Sequence, residues 1–79
     1  MAKSIKTKEQ TLNIDVLPDE EEKRLVQLLS DGKKVDEIVE IEKSERWYIG
    51  EKLMRMRQKF GVKNSTQMVA LFLRNKIIQ

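Results

Sequence analysis

The apolar positions of this chain form four clusters with helical spacing, preceded by one short stretch that alternates. Leu12, Ile14 and Val16 alternate with Asn13 and Asp15, the period-two pattern of an extended segment. From Pro18 onward the period changes. Leu25, Val26, Leu28 and Leu29 predict a helix that opens at Asp19 and stops at Asp31-Gly32. Asp19 and Glu22 have the spacing of a capping box, and Glu20 and Glu21 suit the positive end of the helix dipole. Val35, Ile38, Val39 and Ile41 predict a second helix over 34–42. Ile49, Leu53, Met56 and Phe60 line one side of a third helix over about 45–60, with Ser44 as its N-cap. Lys52, Arg55, Arg57 and Lys59 are expected on its opposite side. Gly61 follows where a helix C-terminus needs a left-handed residue. Asn64, with Gln67 three residues on, opens a fourth helix over 65–77.

These elements make an all-α, four-helix domain over 18–79, preceded by a flexible or extended arm over 1–17. The second and third helices are joined by one to three residues, the tight connection of a helix-turn-helix. The fourth helix is apolar without interruption from Met68 to Leu73. One side of it can be buried within the chain. The rest predicts a two-fold dimer contact through Met68, Leu71 and Phe72.

Charge sharpens the picture. Residues 13–42 hold ten acids against four bases, whereas residues 43–79 hold nine bases against Glu45 and Glu51. An acidic half joined to a basic half points to a face that meets a polyanion, or to two solvated surfaces of opposite sign. The chain has no cysteine and no histidine, which argues against disulfides and a zinc site. No apolar run approaches the roughly 18 residues of a membrane span, so a cytoplasmic protein is expected. No nucleophile–base pair or Gly-rich phosphate loop suggests an enzyme, and no cofactor is implied. The acids over 19–22 read as helix-start residues rather than a paired-carboxylate site, because nothing apolar surrounds them to tune their pKa values.

The third helix carries the candidate chemistry. Lys43, Lys52, Arg55, Lys59 and Lys63 are placed to neutralise phosphates, and Arg46, Trp47, Tyr48 and Glu51 to approach base edges. Trp47 and Tyr48 have two readings: one ring in the core and one over the turn, or an exposed ring against a sugar-phosphate backbone or partner chain.

The run from Gly61 to Arg74, followed by Ile77-Ile78, closely resembles the end of the LuxR/GerE-type helix-turn-helix domain. Leu28-Leu29-Ser30-Asp31-Gly32 and Glu37-Ile38 match that family's earlier motifs without gaps. The resemblance implies a bacterial or phage transcription regulator whose third helix enters the major groove of double-stranded DNA and whose fourth forms a homodimer. In the turn, Glu42, Lys43 and Ser44 replace the family's apolar residue, glycine and apolar residue. Gly50 stands at its groove-facing lysine, followed by Glu51, and Met54 at a further basic position. These departures raise an alternative: an interaction module that sequesters a related regulator in a heterodimer.

Overall fold

In the computed structural model, residues 16–79 are described. They form four helices and no strand: α1 (Glu20–Ser30), α2 (Val35–Glu42), α3 (Arg46–Phe60) and α4 (Ser65–Arg74). The fold class is all-α. The expected arm falls mostly on residues outside those described. Val16, the last of its alternating apolar positions, packs against the core, and Leu17 beside it is exposed.

The helix starts follow from local chemistry. At α1 the Asp19 carboxylate accepts from the Glu22 N–H at 2.8 Å, and the Glu22 carboxylate accepts from the Asp19 N–H at 3.0 Å. The capping box read from the sequence is therefore complete. At α2 the Lys34 side chain has no acceptor, so only the reverse half forms, from the Lys34 N–H to Glu37. At α4 the Asn64 side chain caps the Gln67 N–H, while the Gln67 side-chain Oε1 accepts from the N–H of Lys63.

The helix ends share one device. Each closes with a six-to-one and a five-to-two backbone bond around a left-handed residue. That residue is Gly32 after α1, Lys43 after α2, Gly61 after α3 and Lys76 after α4. Glycine takes this conformation freely, whereas a lysine pays about 1 kcal/mol or more. Two boundaries expected from sequence shift for this reason. Ser44 is not the cap of α3, because its N–H closes α2 on Val39. The cap falls to Glu45, which makes no side-chain bond. The last helix stops at Arg74 rather than Ile77, because Lys76 turns left-handed and Asn75 bonds back to the Leu71 carbonyl.

One core joins the four helices. Leu25 and Val26 of α1, Ile38 of α2, Ile49, Leu53, Met56 and Phe60 of α3, and Met68, Leu71 and Phe72 of α4 are buried, with Ile78 closing the base. Phe60 and Phe72 meet edge to face at 5.1 Å. Reciprocal amide bonds between Gln27 and Gln79 hold the C-terminal segment on α1.

The burial of α4 corrects one expectation. Met68 and Phe72 are fully buried and Leu71 nearly so, all within the single chain. They are core residues, not a dimer contact. A helix of three turns packed on both α1 and α3 has little surface to spare. Only Leu73 is left strongly exposed among its large apolar residues.

Candidate functional site

The helix α3 presents three distinct surfaces. Its core stripe, Ile49, Leu53, Met56 and Phe60, faces inward. At about 100° per residue, Trp47, Gly50, Met54 and Gln58 fall within about 80° of one another on the opposite side. Tyr48, Lys52 and Lys59 share a flank between these two, within about 40° of one another, on the border with α1.

That flank is closed by acids from α1. Lys59 Nζ lies 2.9 Å from Glu22 Oε1, and Lys52 Nζ lies 3.5 Å from Glu21 and 3.9 Å from Glu22. The Tyr48 hydroxyl donates to both carboxylate oxygens of Glu21, at 2.9 and 3.1 Å. Glu22 is only 4% exposed, yet its carboxylate is shared by two ammonium groups and the Asp19 N–H. Such a carboxylate is tolerated in a core border only because it is paired and hydrogen-bonded. The Tyr48 hydroxyl is held above its ordinary pKa of 10.0, first by its bond to the Glu21 carboxylate and then by burial. Asp19 is held below its ordinary 3.8, mainly by the Glu22 N–H it accepts.

This arrangement corrects the placement of Lys52 and Lys59. They do not stand opposite the core with Arg55. Lys52 is 22% exposed and its charge is matched by α1. The helical wheel contained the reason: both lysines border the core stripe, next to a helix whose first turn is acidic.

The outward side is different. Trp47 is 66% exposed and Met54 44%, and Gly50 between them is exposed. Trp47 touches Tyr48 edge to face at 6.0 Å. Tyr48 is half-buried on the α1 flank and packs against the edge of the core, whereas Trp47 stands in solvent. Arg55, 71% exposed, reaches Glu51 one turn earlier at 3.0 Å. Arg46 pairs with Asp36 of α2 and also stays mostly exposed. Lys43 and Lys63, in the turns at the two ends of α3, are exposed. Trp47, Tyr48, Glu51, Lys52 and Arg55 line a shallow groove of about 290 Å³.

Of the residues expected to meet a polyanion, the structure brings Arg46, Trp47, Glu51 and Arg55 to the open part of α3, with Lys43 and Lys63 beyond its ends. It ties Tyr48, Lys52 and Lys59 to the acids of α1. Met54 and Gly50 join the open side, and their positions beside Trp47 on the helical wheel, away from the core stripe, were the available signal. Among the described residues no group of histidines, cysteines or carboxylates could hold a metal ion, and no helix is long and apolar enough to cross a membrane. In comparisons with protein-family models, curated proteins and solved structures, the chain matches none.

Proposed function

We propose that this chain is a DNA-binding transcriptional regulator of the LuxR/GerE helix-turn-helix type, with α3 as the helix that enters the major groove. The observation that carries the reading is the open outward side of α3, set on a fully packed scaffold and bordered by the exposed guanidinium groups of Arg46 and Arg55. Their ion pairs with Asp36 and Glu51 lie in solvent, where such pairs contribute little and exchange readily for phosphate. Lys43 and Lys63 add a cation at each end. The resemblance of the segments around 28–38 and 61–78 to that family supports the same placement of the helices. Lys52 and Lys59 act as ties between α3 and α1, not as phosphate contacts.

Two copies paired through the outer side of α4, where Leu73 is exposed, would offer two α3 helices to successive major grooves roughly 34 Å apart. The test is duplex binding by electrophoretic mobility shift at rising salt. Salt-sensitive binding that Arg46→Glu/Arg55→Glu removes supports the regulator; its absence at about 50 mM salt contradicts it.

A specific observation favours a second reading. Trp47 and Met54 are apolar where a base-reading helix commonly offers polar groups. An interaction module that sequesters a related regulator would use them against a partner helix. Stable association with another helix-turn-helix protein, without a duplex shift at any salt, would favour it.

A further inference from the structure

The outward side of α3 has a composition that bears on what it would read. Its exposed large apolar side chains are Trp47 and Met54, seven residues apart and so nearly in line along the helix. Gly50 lies between them. A Cβ at Gly50 would meet nothing within 4 Å, and its φ is not left-handed. Neither crowding nor backbone geometry in the chain requires glycine there. The notch leaves the α3 backbone open to close approach from outside, flanked by two apolar side chains.

Resting on the DNA-binding reading, we infer that Trp47 and Met54 read thymine C5-methyl groups in the major groove, with Gly50 letting the helix backbone come close to the base edges. The thymine methyl is the apolar feature that distinguishes base pairs on that edge. An apolar side chain discriminates it without needing a hydrogen-bond partner. Of the polar groups nearby, Lys52 is held by Glu21 on the α1 flank. The half-site is therefore richer in A·T pairs beneath Trp47 and Met54 than a lysine-bearing helix would select. Arg46 and Arg55 flank this apolar line and meet the phosphates on either side, which favours a nucleic acid over an apolar partner helix as its occupant.

The experiment uses the full chain and duplexes selected from a random pool at about 50 mM salt, read by fluorescence anisotropy. Each thymine of the selected site is then replaced by deoxyuridine, which removes only the methyl. Expected is an affinity loss of about fourfold per contacted methyl, at one or more positions. Trp47→Ala and Met54→Ala should each erase that loss at one position while circular dichroism shows the fold intact. Equal binding of thymine and deoxyuridine duplexes, or discrimination that survives both substitutions, overturns the inference and leaves the DNA-binding reading standing. If the wild-type chain binds no duplex, both fall. Self-association or partner binding that Trp47→Ala abolishes, in place of duplex binding, assigns the face to a protein instead.

Discussion

The two sides of α3 outside its core stripe invert the usual rule for a helix surface. On the flank toward α1, Lys52, Lys59 and Tyr48 are paired with Glu21 and Glu22, although Lys59 stays 38% exposed. On the outward side, Trp47 and Met54 face solvent. The contrast separates two roles that a charge count merges. The lysines close to the core bind α1 and α3 together, and the residues far from it are free to meet something else. A basic stripe is not a binding stripe until its counter-charges have been located.

The contrast can be broken by substitution, starting with the scaffold that both sides depend on. Phe72→Ala, at a fully buried position in the last turn of α4, should cost about 3–5 kcal/mol, enough to leave the domain largely unfolded in chemical denaturation. A residue at a dimer surface would instead lose little in a dilute monomer. Next is the inward flank. Glu22→Ala removes the acceptor for Lys59 and half of the α1 capping box, and should cost about 2 kcal/mol. Discounting the Lys59 pair for its partial exposure, most of that cost is the buried position and the cap.

The outward side should respond in the opposite direction. Gly50→Ala fills open space in the middle of a helix and should stabilise by about 1 kcal/mol, raising Tm by about 4–8 °C. The same variant should weaken duplex binding if the notch admits the base edges.

Asp19→Ala should cost about 1 kcal/mol at neutral pH. The Asp19 pKa is depressed in the folded chain, so its contribution is present above the ordinary 3.8 and lost as pH falls through the lower folded value. The melting difference between wild type and Asp19→Ala should therefore shrink in strong acid. The smallest effect belongs to the largest side chain: Trp47→Ala should change stability by less than about 0.5 kcal/mol, because the ring is mostly in solvent.

Much of the fold was legible from the pattern of residues alone. The spacing of Ile49, Leu53, Met56 and Phe60 placed α3 on the core, and Asp19, Asn64 and Gly61 marked true helix boundaries. Two kinds of feature were not. Left-handed Lys43 and Lys76 carry no compositional mark, so the start of α3 and the end of α4 were misjudged. The unbroken apolar run in α4 read as excess surface because a linear sequence does not show how many neighbours a helix has. In the fold, α1 and α3 together take up Met68, Leu71 and Phe72.

The site was half legible for a related reason. Charge sign is visible in sequence, but the pairing of Lys52 and Lys59 with α1 depends on residues 30 or more positions apart coming together. Arg46 and Arg55 remained in the open because their partners, Asp36 and Glu51, are themselves exposed or on the same helix.

The central claim is that the outward side of α3 meets the duplex while the lysine flank does not. The most direct test is the slope of log affinity against log salt for wild type, Arg55→Gln and Lys52→Gln on one duplex. Each phosphate contact adds roughly 0.9 to that slope. Arg55→Gln should reduce its magnitude by about that amount, and Lys52→Gln should leave it unchanged. A slope reduced by Lys52→Gln but not by Arg55→Gln, or no duplex binding by the wild type, would contradict the account.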